Sequence, residues 1–225
     1  MEKSVKPIGI IGGTHFDAQL GVAFFRQYGM ETVGAGISAT PEEAASLQML
    51  YPFRLQQMVV QQMKEMRLQG IQTICIYCNS MSTAIHSKEA GEEAGVRVVT
   101  PLDVYRQTAH RYSRLGVLAA NCQSLGGIEK VIQEQNEKAH VIGTAMLQLA
   151  IEIEKETDPR FIIKSLGLLH LIRFYEAAEV DVLILGCTHF PYLQKTLEGL
   201  TDLHLINPAK EMVQLCQNDP ESDSR

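Results

Sequence analysis

Ile71-Gln-Thr-Ile-Cys-Ile-Tyr-Cys78-Asn-Ser80 and Val180-Asp-Val-Leu-Ile-Leu-Gly-Cys187-Thr-His189 lie over one another at a constant offset of 109 residues. Each is a short apolar run closed by a cysteine and followed by small polar residues. Runs that are apolar on both faces read as parallel strands covered by helices on each side. Two further pairs match at an offset of 107: Ile8-Gly-Ile-Ile11 over Leu115-Gly-Val-Leu118, and Val98-Val-Thr-Pro101 over Leu205-Ile-Asn-Pro208. α/β units resemble one another in general, but a cysteine at the same strand end is not something the fold requires. Three matched segments in the same order therefore predict an α/β protein of two pseudo-symmetric lobes. Each lobe is a parallel sheet flanked by helices, with the active site in the cleft between them.

Outward from these stretches, strands are expected at Ile8–Ile11, Thr73–Tyr77, Val96–Val99, Leu115–Leu118, His140–Ile142, Val182–Leu185 and Leu203–Ile206. Helical periodicity fills the gaps. In Phe53–Gln69, Leu55, Met58, Val59, Met63 and Met66 share a face. Asp158-Pro159 is a helix start, with Asp as cap and Pro at the first position, opening a long helix over Phe161–Ala178. The first lobe is expected to comprise residues 1–100 with 207–225 and to carry Cys78. The second is expected to comprise residues 101–206 and to carry Cys187. The last helix then returns to the first lobe, and Asn218–Arg225 forms a polar, frayed tail.

The composition narrows the function. The 225 residues are 45% hydrophobic and 20% charged, with a formal net charge of −6. Lysine and arginine are scattered, which offers nucleic acid no electrostatic footprint. No apolar run reaches membrane-spanning length, and the opening Met1–Gly13 lacks the pattern of a signal peptide. Five cysteines at irregular spacing argue against a disulfide framework. A cytoplasmic protein with free thiols is expected.

In parallel α/β sheets ligands gather at the carboxyl ends of the strands, where Cys78 and Cys187 both fall. A helix N-terminus there is expected to lower a thiol's pKa and to hold a carboxylate. Two thiols on opposite walls of one cleft suit stereoinversion at an α-carbon. One removes the proton from one face while the other delivers a proton to the opposite face.

Tyr77-Cys-Asn-Ser80 and Leu185-Gly-Cys-Thr-His-Phe190, with the opening Ile8-Gly-Ile-Ile-Gly-Gly13, resemble the aspartate/glutamate racemase superfamily over roughly residues 7–216. The resemblance implies a racemase independent of pyridoxal phosphate and of any other cofactor or metal, a small amino-acid substrate and a homodimer. It also implies that Cys78 and Cys187 are the acid/base pair. Asn79, Ser80 and Thr188 would bind the substrate's carboxylate and ammonium groups. The chain departs from the pattern at two loops. Gly12-Gly13-Thr14 stands where glutamate racemases carry Asp-Ser, and Ala119-Ala-Asn-Cys-Gln-Ser124 replaces an Ala-Thr run.

Other residues have competing readings. Thr14, exposed by a tight turn, and His189, beside Cys187, are candidate substrate contacts. Arg54 and Thr40 are candidates for holding a side-chain carboxylate. Cys78, Cys187 and His189 could instead be zinc ligands, and Cys75-x-x-Cys78 a redox pair. Residues three apart on a strand, however, point to opposite faces. The activity expected is racemisation of aspartate or glutamate. The alternatives are diacid cis-trans isomerisation or hydantoin racemisation on the same scaffold, and a silent small-molecule binding protein.

Overall fold

The computed structural model describes residues 7–217. The first half runs β1 (Ile8–Thr14), α1 (His15–Arg26), β2 (Thr32–Ser38), α2 (Pro41–Leu50), α3 (Pro52–Leu68), β3 (Thr73–Tyr77), α4 (Asn79–Ala84), α5 (Ser87–Ala94), β4 (Arg97–Val99) and α6 (Pro101–Thr108). The second runs β5 (Arg114–Ala119), α7 (Cys122–Gln135), β6 (His140–Ala145), α8 (Leu147–Glu154), α9 (Pro159–Ser165), α10 (Leu168–Ala177), β7 (Val182–Gly186), α11 (Pro191–Glu198), β8 (Leu205–Ile206) and α12 (Pro208–Gln217).

Two four-stranded parallel sheets result, ordered β2-β1-β3-β4 and β6-β5-β7-β8. The sequence offsets reappear as backbone register. Ile8 pairs with Thr73 as Leu115 pairs with Val182, and Ile74 pairs with Val98 as Leu183 pairs with Leu205. The central strands are apolar on both faces because both are covered. Ile10, Ile11, Ile74 and Ile76 are fully buried in one sheet, and Val117, Leu183 and Ile184 in the other. Each such side chain contributes about 1.5–3 kcal/mol by leaving water. α12 packs Ala209, Met212 and Val213 into the same core as Ile8, Ile10 and Tyr77, so the chain returns to the first sheet. The expected tail Asn218–Arg225 lies outside the described residues.

Two elements differ from expectation. β2, Thr-Val-Gly-Ala-Gly-Ile-Ser, shows no continuous apolar run because Gly34 and Gly36 interrupt it. The glycines are required by the close approach of α1. A Cβ on Gly36 would lie 2.3 Å from the His15 nitrogen, and one on Gly34 would lie 2.7 Å from Val22 Cγ2. The single helix expected over Phe161–Ala178 is two helices, α9 and α10. Gly167 separates them in the left-handed conformation at φ 67°. The start is as read: Asp158 caps the backbone N–H groups of Arg160 and Phe161, ahead of Pro159.

Gly36→Ala is expected to cost about 1–3 kcal/mol, the scale of overpacking a tight contact. The measurement is the urea midpoint at unchanged slope. An unchanged midpoint would contradict the α1–β2 contact described.

Candidate active site

β3 and β7 are the equivalent strands of the two sheets, and each delivers its cysteine just past its carboxyl end. Both thiols line one small buried cavity between the lobes, about 30 Å³ in volume. Thr14, Asp17, Gln48, Ser80, Asn121, Thr188 and His189 share that wall. A space of this size holds about one water molecule. α2 (Ala44, Gln48) and α8 (Leu147, Ala150) complete the wall.

Cys78 is the N-cap of α4. Its Sγ lies 3.6 Å from Ser80 Oγ and 3.9 Å from Gln48 Nε2. The expectation that a helix N-terminus lowers this thiol's pKa is overturned. Burial first, and then the Asp17 carboxylate, push it up to about 12, against the Met81 N–H and the Ser80 hydroxyl. α4 is only six residues long, so its dipole is weak against full desolvation. Cys78 is thereby held as a neutral thiol.

Cys187 precedes a turn rather than capping a helix directly, since α11 begins at Pro191. Its Sγ stands 3.5 Å from His189 Nδ1, and His189 Nε2 stands 2.8 Å from Glu154 Oε1. Thr14 donates its hydroxyl to the same carboxylate oxygen at 2.5 Å. Cysteine, imidazole and carboxylate thus form a line within the second lobe, and Thr14 joins it from the first.

Asp17 is 1% exposed. Its carboxylate accepts from the Gly13 N–H at 3.1 Å and from the Thr188 hydroxyl at 2.7 Å, and lies 3.7 Å from His189 Nδ1. Burial raises its carboxyl above the ordinary value although all three neighbours pull it down. For His189, burial works to lower the pKa. The charges of Asp17 and Cys187 and the bonds to Cys187 and Glu154 outweigh it and hold the imidazole well above its ordinary value.

Among the residues expected at the site, Thr14, Cys78, Ser80, Cys187, Thr188 and His189 line the cavity. Asn79 lies behind them. Its Oδ1 accepts from the Tyr105 hydroxyl, while its buried Nδ2 has no partner. Thr40 and Arg54 are elsewhere. The Thr40 hydroxyl caps α2 by accepting from the Glu43 N–H at 3.2 Å. Arg54 is exposed on α3, outside the cavity wall. Among the described residues no group of three or more His, Cys, Asp or Glu is disposed to hold a metal ion. Cys75 packs in a different core cluster from Cys78, as strand alternation requires.

Asp17, Glu154 and Gln48 were not singled out from sequence. Asp17 stands in the first turn of α1, Glu154 is the last residue of α8 and Gln48 lies near the end of α2, with no motif around any of them. A polar residue on the buried face of its helix is the signal that could have found Asp17.

The arrangement defines a two-lobed α/β protein with a thiol from each lobe in the seam, and proteins similar to it in sequence and in fold are glutamate and aspartate racemases. No protein-family model matches this chain. It is similar to the glutamate racemase of Limosilactobacillus reuteri (strain DSM 20016), at 25% identity over 166 residues, covering 71% of this chain and 61% of the relative. The chain thus matches only about three fifths of that relative's length. In fold it is similar to the glutamate racemase of Francisella tularensis solved with D-glutamate, at TM-score 0.73 and 18% identity, covering 94% of this chain and 79% of that one. It is similar also to an aspartate racemase homologue of Pyrococcus horikoshii, at TM-score 0.69 and 16% identity, covering 95% and 100%.

Two outcomes test the electrostatics. Because His189 has a raised folded-state pKa, its contribution to stability is fully present below the unfolded value near 6.5 and is lost as pH rises through the folded value. The wild type should therefore exceed His189→Gln in urea midpoint at about pH 6, with the margin shrinking by about pH 9. A margin that grows with pH would reverse the sign. Asp17→Asn should lower the His189 pKa, read by imidazole NMR. It should also speed alkylation of Cys78 by iodoacetamide at about pH 9, located by mass spectrometry. If neither moves, Asp17 is not the charge that these groups feel.

Proposed function

We propose that this protein is a cofactor-independent amino-acid racemase acting on glutamate or aspartate, with Cys78 and Cys187 as its two acid/base groups. The observation that carries the reading is that equivalent strands of the two lobes each end in a thiol that lines the same small cavity. The sequence likeness to glutamate racemases supports the substrate class. No lysine or arginine of the described residues lines the cavity. A side-chain carboxylate would therefore be held by neutral donors such as Gln48 and Asn121.

The thiols are not equivalent at rest, and their neighbours suggest different starting roles. His189 can take the proton of Cys187, and Glu154 stabilises the charge that forms. Cys187 is then the base that removes the α-proton. Cys78, a neutral thiol, is the acid that delivers a proton to the opposite face, and the reverse reaction exchanges the roles. The substrate ammonium would lie against Asp17. It would neutralise the carboxylate that raises the Cys78 pKa, so binding itself prepares Cys78 to act as a base. Ser80 would grip the α-carboxylate and stabilise the carbanion, while Asn79 and Thr188, bonded to Tyr105 and Asp17, hold the two cysteine-bearing turns in place.

We assign the lobe boundary to Thr100-Pro101 and Asn207-Pro208. The first lobe takes residues 1–100 with 207–225, and the second takes residues 101–206. The five free cysteines suit a reducing cytoplasm. Leu50, Tyr51 and Phe53 form an exposed apolar run that suits a homodimer interface.

The test is incubation with L- and D-glutamate and aspartate in heavy water without added cofactor. Proton NMR follows loss of the α-proton, and chiral chromatography follows inversion. Exchange with inversion is expected. Cys78→Ser and Cys187→Ser should each lose inversion by at least about a hundredfold, while one-sided exchange persists from opposite enantiomers. Full racemisation by either variant would refute the two-thiol mechanism. Absence of exchange by the wild type with all four substrates would refute the activity.

A further inference from the structure

A second concavity lies away from the cysteines and shares no lining residue with their cavity. It is a groove of about 710 Å³ between α9, the start of α10 and α11. That volume is within the range of small-molecule sites, roughly 300–1,000 Å³. Ile163 and Leu169 contribute apolar surface to it, while Arg160, Lys164, His170 and Lys195 supply polar ends. No acidic residue contributes to its wall.

Two features make the groove more than an amphipathic surface. Among the described residues, Arg160, Lys164 and Lys195 form no ion pair, and the three stand around one groove whose wall holds no acidic residue. Moreover, the chain as a whole carries a formal net charge of −6, so an unpaired cationic cluster runs against the general charge. Unpaired cations around an apolar floor are complementary to a ligand with one anionic end and one apolar end. Cations at such a rim bind carboxylate or phosphate by charge-assisted hydrogen bonds. The apolar body leaves water against Ile163 and Leu169.

We propose that the groove between α9 and α11 is a binding site for a small amphiphilic anion, a phosphate or carboxylate headgroup on an apolar body. Both bounding helices continue directly into the cysteine site. α9 follows α8, which ends at Glu154, and α11 follows Cys187-Thr188-His189. The proposal does not depend on the racemase activity.

The experiment is calorimetric titration of the intact protein with decyl phosphate, decanoate, decanol and inorganic phosphate, each below the concentration at which it forms micelles. Saturable one-to-one binding of decyl phosphate or decanoate is expected, and whichever is tighter names the headgroup. Decanol and inorganic phosphate should bind at least about tenfold more weakly, since each lacks one half of the recognition. A combined Arg160→Ala, Lys164→Ala, Lys195→Ala variant should lose about tenfold or more in affinity. Leu169→Glu, at a half-exposed position, should do the same, and both variants should keep the wild-type thermal midpoint. The proposal is overturned if neither amphiphile saturates. Decanol binding as tightly as the anions would also overturn it, as would inorganic phosphate binding as tightly, or unchanged affinity in the charge variant.

Discussion

A carboxylate buried to 1% exposure between two lobes would cost several kcal/mol if left alone, and the seam of this protein is arranged around that one group. Asp17 is satisfied from both sides. The Gly13 N–H comes from its own lobe, and the Thr188 hydroxyl and the His189 ring come from the other. Hydrogen bonds to a charged group are worth about 1.5–3 kcal/mol each, so the lobes cannot separate here without exposing or orphaning a charge. The same contact places Thr188 and His189, which flank Cys187 on the chain side that faces the cavity. Structural closure and the electrostatics of the thiols therefore share one residue.

That residue also makes the two thiols unlike. The backbone duplication is close enough that strand registers superpose, yet the side chains around the cysteines do not repeat. Cys78 has hydroxyl and amide neighbours and a carboxylate that disfavours its ionisation. Cys187 has an imidazole backed by Glu154. Symmetric strands bring one thiol from each lobe, and asymmetric neighbours give the two thiols different surroundings. The proposed two-base reaction draws on both features.

The parts of this arrangement that the sequence exposes are those carried by strong local signals. Apolar runs ending in cysteine recur at fixed offsets, and those offsets are the sheet registers. Asp158-Pro159 marks a helix start through capping chemistry that needs no tertiary context. β2 is hidden because its glycines answer to α1, a neighbour distant from any pattern within the strand itself. The break at Gly167 is hidden because apolar periodicity runs on through α10. Asp17 and Glu154 come from helices, and only the packing of the lobes turns them to the thiols. Arg54 and Thr40 were near the right loops in sequence, but the first points to solvent from α3 and the second is consumed as a helix cap. Loop proximity carries no direction for a side chain.

The chain passes from one sheet to the other twice, from β4 into α6 and from β8 into α12. Both passages enter a helix whose first residue is proline, Pro101 and Pro208. The fixed φ of proline stiffens each entry, and α6 and α12 pack against one another. Cys78 and Cys187 ride on different sheets, and the chain joins those sheets only through these two stiff, adjacent entries. The two prolines, far from either thiol in sequence, therefore bear on how the two cysteine-bearing strand ends stand to one another.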